Sequence, residues 1–471
     1  MVKAILAEEF LQNYISSVCE ISLPCNLGLI AGHKSSQRDY VVALLPTPAE
    51  DDEDEGDGEL MESKASAKQR GIEKVNEQWI AEHARQVMRM LPGGLSVMGI
   101  YVAASDEELN KSQSKLRQIL FAIYKLFQKK HLSPSTGAES LDWSILQIST
   151  KTKKLTCKTF NVADPKSTAK PADWKFQSFV NSWSCVSCRL QVNLRIPFQK
   201  RFRDCSHYSK FVLNGTDNLL NAVSESMVLI NGQLRDETEA IESLLGKKKS
   251  GKKSSSGGSS QPLEIKAELL MDKAVQGPTQ DDLEYMIAGD TKIIGWVHAR
   301  GYLSPKSTFG DVEKVIKEDI ERSLRVRFDL LGEELRQSSG DAEVKELETD
   351  PPSIIATPQR VLAKLPGTPI CVSDYIFQDE QPQDVGAHFL ELLNITVTEE
   401  DVDFNCEQMP DDSLLQQIET ASSHSSEAAN LDELLNKPGG GGELLRYAGL
   451  AFAGVGGALA VGMSYLALSQ D

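Results

Sequence analysis

Cysteine, histidine and acidic residues are the side chains with which this chain could do covalent or metal chemistry, and few of them stand at useful spacings. Cys185 and Cys188 form the one close cysteine pair, with the Cys-x-x-Cys spacing of zinc or thiol-redox sites. They fall in a stretch where Val186, Cys188, Leu190, Val192, Leu194 and Ile196 alternate with mostly polar residues, the period of a half-buried strand. On a strand, residues three apart face opposite ways, so the two thiolates would not converge on one ion without a bulge. His298 lies in the stretch from Gly295 to Arg300 (GWVHAR), followed by Thr308 and Asp311. That order is superficially like a zinc isopeptidase pattern of two histidines two apart, a hydroxyl residue and an aspartate. Arg300 takes the second histidine's place, and a guanidinium that stays protonated cannot ligate zinc. Thr308 and Asp311 also have the spacing of a capping box ahead of a long amphipathic helix. No GxSxG, GxxxxGK[ST] or HExxH sequence occurs, and no cofactor is implied. A hydrolase with a dispersed site would draw first on Cys185, Cys188, His207 and His298, and would need a thiol within about 3 to 4 Å of an imidazole.

The elements that would position these residues alternate between strand and helix, which predicts an α/β (α+β) fold. Leu27 to Ala31 and Tyr40 to Leu45 flank a polar turn and predict a hairpin. Val75, Trp79, Ile80, Val87, Met88 and Leu91 share one helical face, and Pro92-Gly93-Gly94 stops that helix. Leu95 to Ala103 predicts a buried strand. Ser105 and Glu108 form a capping-box pattern before a second helix carrying Leu116, Ile119, Leu120, Ile123 and Phe127. Strands follow near 141–148 and 154–160. Farther on, 219–230 predicts helix, 263–270 and 292–302 predict strands, and a long helix runs from Asp311 to about Leu335. Val361 to Leu365 and Ile370 to Phe377 predict two more strands, and Val385, Phe389, Leu392 and Leu393 a last helix. The resulting divisions are a first α/β domain at 1–160 with an acidic loop near 50–70, a β-rich and helical middle at 161–245, a flexible basic insert at 246–261, a second α/β domain at 262–405, a disordered acidic and Gly-rich linker at 406–442, and a membrane segment at 443–469.

The chain of 471 residues carries a formal charge of -18, which argues against non-specific nucleic-acid binding. Its eight cysteines lack the dense regular spacing of a disulfide scaffold and read as reduced thiols. No secretory signal is expected, since Lys3, Glu8 and Glu9 interrupt the first ten residues. Tyr447 to Leu468 is an uncharged apolar run which, as a helix, spans on the order of 33 Å, enough for a bilayer's hydrocarbon core. The expectation is a single-pass tail anchor with the bulk of the chain cytosolic, in which Tyr447, Leu450, Phe452, Val455, Leu459, Val461, Tyr465 and Leu468 meet lipid. The sequons at Asn110, Asn214 and Asn394 would then stay unglycosylated. Lys437 and Arg446 precede the span and only Ser469, Gln470 and Asp471 follow it, a flank that favours the endoplasmic reticulum over the mitochondrial outer membrane. Gly449, Ala453 and Gly457, and likewise Gly454, Ala458 and Gly462, recur every four residues and would let another transmembrane helix approach. A receptor-specific chaperone could grip client helices through those faces.

Several segments resemble the odorant response abnormal protein 4 family: 82–94 (EHARQV through MLPGG), 164–175 (DPKS through PADWK), 229–233 (LINGQ) and 365–377 (LPGT through DYIF). The resemblance implies a non-catalytic, membrane-anchored protein of the endoplasmic reticulum that helps G-protein-coupled receptors, odorant receptors among them, to mature and travel. It also implies recruitment of the ubiquitin-fold-modifier-specific cysteine protease to that membrane. The partners expected on this basis are that protease, client membrane receptors and the lipid bilayer. The resemblance further implies an MPN-like first domain. In an active MPN metalloprotease the zinc histidines would follow the Gly99 to Tyr101 strand, where this chain has Val102, Ala103 and Ala104, so the domain would be a pseudoenzyme scaffold. Within the family-like segments, Met90, Leu91, Pro92, Trp174 and Tyr375 are candidate partner-docking residues.

Overall fold

The protein is described by a computed structural model, which describes residues 3–20, 24–35, 38–50, 71–130, 132, 141–199, 216–245, 262–271, 287–337, 354–377, 380 and 382–407. The apolar run at 447–468, the acidic loop, the basic insert, His207 and the linker beyond 407 lie outside these residues. Among the described residues, no helix is long and apolar enough to cross a membrane.

Seven strands close into a barrel in the order β1-β3-β2-β4-β5-β6-β7. They are β1 (Lys3–Ala7), β2 (Cys25–His33), β3 (Arg38–Pro46), β4 (Ser96–Ala104), β5 (Asp142–Ser149), β6 (Leu155–Asn161) and β7 (Lys170–Phe176). The hairpin pairs β2 with β3 antiparallel, and β4 lies between β2 and the parallel β5. Closure comes from β7, which lies parallel to β1 with Trp174 opposite Ile5. The barrel therefore extends past residue 160, where the sequence placed the end of its first domain. Its interior holds Ile5, Ile30, Val41, Met98, Tyr101, Leu146 and Cys157, and helix α1 (Leu11–Glu20) packs Leu11, Ile15 and Val18 against them.

Helices α2 (Glu77–Met90) and α4 (Gln113–Lys129) cover the barrel's outer face, with the short α3 (Asp106–Lys111) between them. On α4 the predicted stripe of Leu116, Ile119, Leu120, Ile123 and Phe127 is buried. The predicted capping box at Ser105 forms only in part. Ser105 Oγ accepts from the Glu108 backbone N–H at 3.3 Å, but Glu108 Oε1 reaches across to accept from the Ile72 N–H at 2.9 Å.

A second, five-stranded sheet has the order β12-β11-β8-β10-β9. Its spine is β8 (Ser184–Gln199) against the antiparallel β11 (Ile287–Leu303), flanked by β9 (Met227–Ile230), β10 (Glu264–Leu270) and β12 (Ile354–Ala356). This sheet joins residues from both sides of the basic insert. Helix α5 (216–225) ends before Met227, so the predicted helix over 219–230 is corrected to a helix followed by a strand. Helix α6 (Phe309–Gln337) lays Val312, Ile316, Ile320, Leu324 and Phe328 on the sheet. Its start is the expected capping box: Asp311 Oδ2 accepts from the Thr308 N–H at 2.8 Å, and Thr308 Oγ1 from the Asp311 N–H at 3.3 Å.

A third sheet, β14-β13-β15, comprises β13 (Gln359–Lys364), β14 (Cys371–Ile376) and β15 (Val402–Asp403). Val361, Ala363, Val372 and helix α7 (Pro382–Leu393) pack into the same core as α2 and α4. Cys406 and Glu407, assigned by sequence to the linker, are instead buried in the fold, because Cys406 packs with Leu362 and Cys371 and Glu407 pairs with an arginine of α6.

Candidate docking cleft

Among the described residues, Cys185, Cys188 and His298 do not converge on a catalytic group; His207 lies outside them. Along β8, Cys188 packs into the core beneath α6 while Cys185 packs against the barrel-side core, so the pair faces opposite ways as its strand spacing requires. Burial pushes the Cys185 thiol up to about 11 and those of Cys188 and Cys406 up to about 12, so all three stay protonated near neutrality. Burial and the nearby Arg300 and Arg189 charges lower His298 to about 4. Its Nδ1 is buried without a hydrogen-bond partner among the described residues. Among the described residues, no group of three or more His, Cys, Asp or Glu could hold a metal ion. Val102, Ala103 and Ala104 are buried along β4.

The 90–94 segment is instead the hub of a buried charge network. Asp319 on α6 accepts from the Gly93 N–H at 2.9 Å, the Arg300 N–H at 2.9 Å and both Arg360 Nη atoms at 2.6 and 3.1 Å. Arg322 Nη1 donates to the carbonyls of Leu91, Pro92 and Leu95 at 2.7 to 3.2 Å. Farther along α6, Arg327 Nη2 meets both Glu407 oxygens at 2.6 and 2.7 Å. Glu407 also accepts from the backbone N–H groups of His298 and Arg360, at 2.6 and 2.8 Å. Each buried carboxylate thus has several donors, which a charge removed from water requires. Gly94 adopts φ +80°, and a Cβ on Gly93 would lie 2.2 Å from the Val315 carbonyl oxygen, so the turn needs both glycines. Leu91 and Pro92 are buried in this arrangement, which seats them against this chain's own elements rather than on a free face. Trp174 is half-buried and packs against the barrel interior.

The other two candidates, Met90 and Tyr375, meet at a cleft of about 370 Å³ between α2, α6, β14 and α7. Helix α2 presents Trp79, Glu82, His83, Gln86, Arg89 and Met90 to it, at the three-to-four-residue spacing of one helical face. Asn76 fixes the start of that helix by accepting from the Gln78 N–H at 3.0 Å. Val326 and Leu330 of α6, Tyr375 of β14 and Leu392 of α7 supply the opposing walls. His83 ties the walls together. Its Nε2 lies 2.8 Å from the Leu392 carbonyl oxygen and must donate, leaving Nδ1 to accept from Thr47 Oγ1 at 3.2 Å. Burial lowers the His83 pKa, in keeping with that neutral tautomer.

The charges around the cleft are unevenly matched. Arg85 forks onto Glu82 with contacts of 2.6 to 3.0 Å; although burial opposes it, this pairing holds the Glu82 carboxyl below its usual range. His388 Nδ1 and Asp374 Oδ2 lie 2.9 Å apart, and that bond raises the imidazole's pKa. Arg89 is only 8% exposed and makes one long contact, from Nη1 to Gln86 Oε1 at 3.3 Å. Burial, then the Arg85 charge, lowers its pKa, and the carboxylates of Asp329 and Glu333 on α6 oppose that lowering. Arg89 Nη2 and Tyr375 Oη are both buried without any hydrogen-bond partner among the described residues. The Tyr375 ring is held in place by the Arg327 guanidinium, 5.2 Å from its centroid. Sequence reasoning singled out Met90 and Tyr375 but passed over Arg89, whose only signal was its place on the inward face of α2.

Comparison with known proteins bears on the whole body that carries this cleft. Residues 28–404 match the family model described as odorant response abnormal 4-like. The protein odr-4 homolog of Homo sapiens is 31% identical, with 86% of each chain covered. That of Drosophila melanogaster is 21% identical, with 94% of each covered. Among solved structures, the crystal structure of UfSP from C. elegans is similar at a TM-score of 0.40 and 10% identity, covering 84% of this chain and 57% of that one. With residues 28–404 matched by one family model and such relatives aligned over most of their own length, the chain belongs to the odorant response abnormal 4-like family.

Proposed function

We propose that this chain is a non-catalytic, membrane-anchored adaptor of the endoplasmic reticulum that supports the folding and trafficking of odorant-type G-protein-coupled receptors and brings the ubiquitin-fold-modifier-specific cysteine protease to that membrane. Family membership carries the reading: the match spans nearly all of the described body, and the family is named for odorant response. The anchor in this reading is the uncharged run at 447–468, with its Gly/Ala faces at Gly449, Ala453, Gly457, Gly454, Ala458 and Gly462 available to client helices. The barrel is read as an MPN-like pseudoenzyme scaffold, with Val102 to Ala104 standing where metal ligands would be needed. Confining a partner to a thin layer above the bilayer raises its effective concentration at membrane-bound substrates without any catalysis by this chain.

Affinity purification of the full chain, and of a chain ended at Gly442, tests the reading. Recovery of the protease with both forms is expected. Failure to recover it with either form contradicts the adaptor role.

A further inference from the structure

The β6 side of the barrel carries a charge opposite to that of the chain as a whole. Thirteen of the chain's 50 lysines and arginines fall between 111 and 175, against four of its 68 acids. Lys115, Lys153, Lys170 and Lys175 stand 2.6 to 3.9 Å from a carboxylate. Lys125, Lys129, Lys130, Lys151, Lys154 and Lys166 are exposed and have no carboxylate partner among the described residues. Asp164, the acid nearest Lys166 in sequence, accepts instead from the Lys166 backbone N–H at 2.9 Å. Short contacts gather these lysines on one side of the molecule. Lys158 Nζ on β6 donates to Gln113 Oε1 of α4 at 2.9 Å, and Arg117 of α4 donates to the Pro165 carbonyl, so α4 and the 163–169 loop flank β6. The Ser149 N–H donates to the Lys154 carbonyl at 3.0 Å and closes the turn that holds Lys151 and Lys154 at the strand's start. Leu141, 43% exposed, adds an apolar side chain at the other end, where its carbonyl accepts from the Val162 N–H at 3.0 Å.

We propose that this face lies against an anionic lipid surface, with its exposed lysines among the headgroups. Charge complementarity selects the class of partner, and the kind of cation narrows it. All but one of the thirteen are lysines, hydrated point charges suited to a diffuse negative field, whereas arginine is the residue that reads a single phosphate through its fork. A single-stranded nucleic acid would also want free aromatic faces on which to stack its bases. Here the rings are taken: Arg117 lies 5.4 Å over Phe121 and 5.9 Å over Phe160, and Tyr124 packs edge-on against Trp143 at 6.0 Å. The inference rests on the membrane-anchored reading in one respect. With the run at 447–468 in a bilayer, the 39 residues from 408 to 446, as an unstructured linker, give the body a reach of about 35 Å, which keeps this face within range of the lipid.

The test mixes the full chain with nanodiscs of phosphatidylcholine alone or with about 30% phosphatidylserine, and follows lysine acetylation by mass spectrometry at about 0.1 M salt, where the Debye length is about 10 Å. Lys125, Lys129 and Lys154 should react at least about threefold more slowly with the anionic discs, and the difference should vanish at about 1 M salt. Lys306 and Lys364, which are not part of this face, should react alike with both. Lys125→Glu combined with Lys129→Glu should abolish the protection of Lys154, whereas Lys306→Glu combined with Lys364→Glu, the same change in net charge, should leave it intact. Equal reactivity with the two discs, or protection that survives the first pair of substitutions, overturns the proposal. So does protection with both discs that is lifted only when Asp51, Asp52, Glu53, Asp54 and Glu55 are replaced by Asn and Gln, which assigns the face to the chain's own acidic segment. Stronger protection by a single-stranded RNA than by the anionic discs likewise overturns it. A chain that fails to insert in the discs yet shows the anionic footprint contradicts the anchor and upholds this face, so the two readings fail separately.

Discussion

At the scale of single residues, burial rather than reactivity governs the groups that first suggested chemistry. His298 is held neutral first by burial and then by the charges of Arg300 and Arg189, with Glu407 opposing them. Its pKa of about 4 in the fold lies below the roughly 6.5 of an unfolded chain, so the unfolded state takes up the proton first. The stability tied to this residue is complete above about pH 6.5 and is lost as pH falls toward 4. From pH 7 to pH 5 that loss is about 2 kcal/mol. His83 has the same sign, whereas His388, raised by Asp374, contributes below about pH 6.5 and loses its contribution as pH rises through its folded value. Urea titrations at pH 7 and pH 5 should therefore show a smaller acid loss for His298→Gln than for the parent chain. An unchanged loss would place the acid-sensitive group elsewhere.

At the scale of elements, α6 is the part to which the rest is fastened, since its Asp319, Arg322 and Arg327 reach the 90–94 turn, β13 and Glu407. Removing one member of a buried pair strands the other. Asp319→Asn should cost about 3 to 5 kcal/mol in chemical unfolding, while Asp319→Leu combined with Arg360→Met should cost less than the two single changes together. Gly93→Ala should destabilise by several kcal/mol, about 3 as an order of magnitude, because the added carbon meets the Val315 backbone. Much of this architecture was legible in the chain. The period-two run of β8, the stripe of α4 and the Thr308–Asp311 cap are local patterns, and local patterns dictate elements by themselves. The strand β9 was lost inside a predicted helix because four residues are too few for a period to declare itself. In β7, Pro171 and three charged residues hid the alternation of Ala172, Trp174 and Phe176. The half-formed cap at Ser105 failed because Glu108 found a partner distant in sequence. The cleft was legible only at Met90 and Tyr375, since its walls come from segments about 300 residues apart in sequence, joined by bonds such as that of His83 to Leu392, 309 positions apart. Its lining exists as one surface only once those walls meet.

At the scale of the whole molecule, the barrel, the second sheet and the third sheet are tied together by shared apolar packing and a buried charge network rather than strung as separate modules. Function in the proposed reading then depends on where that body is held. The two halves of the proposal come apart in a single experiment: the membrane-bound share of the ubiquitin-fold-modifier-specific protease, measured by fractionation of cells that carry either the full chain or a chain ended at Gly442. Expected is a membrane-bound protease with the full chain and a soluble one, still in complex, with the shortened chain. A protease whose distribution is the same in both cells contradicts the claim that this protein acts by placing its partner.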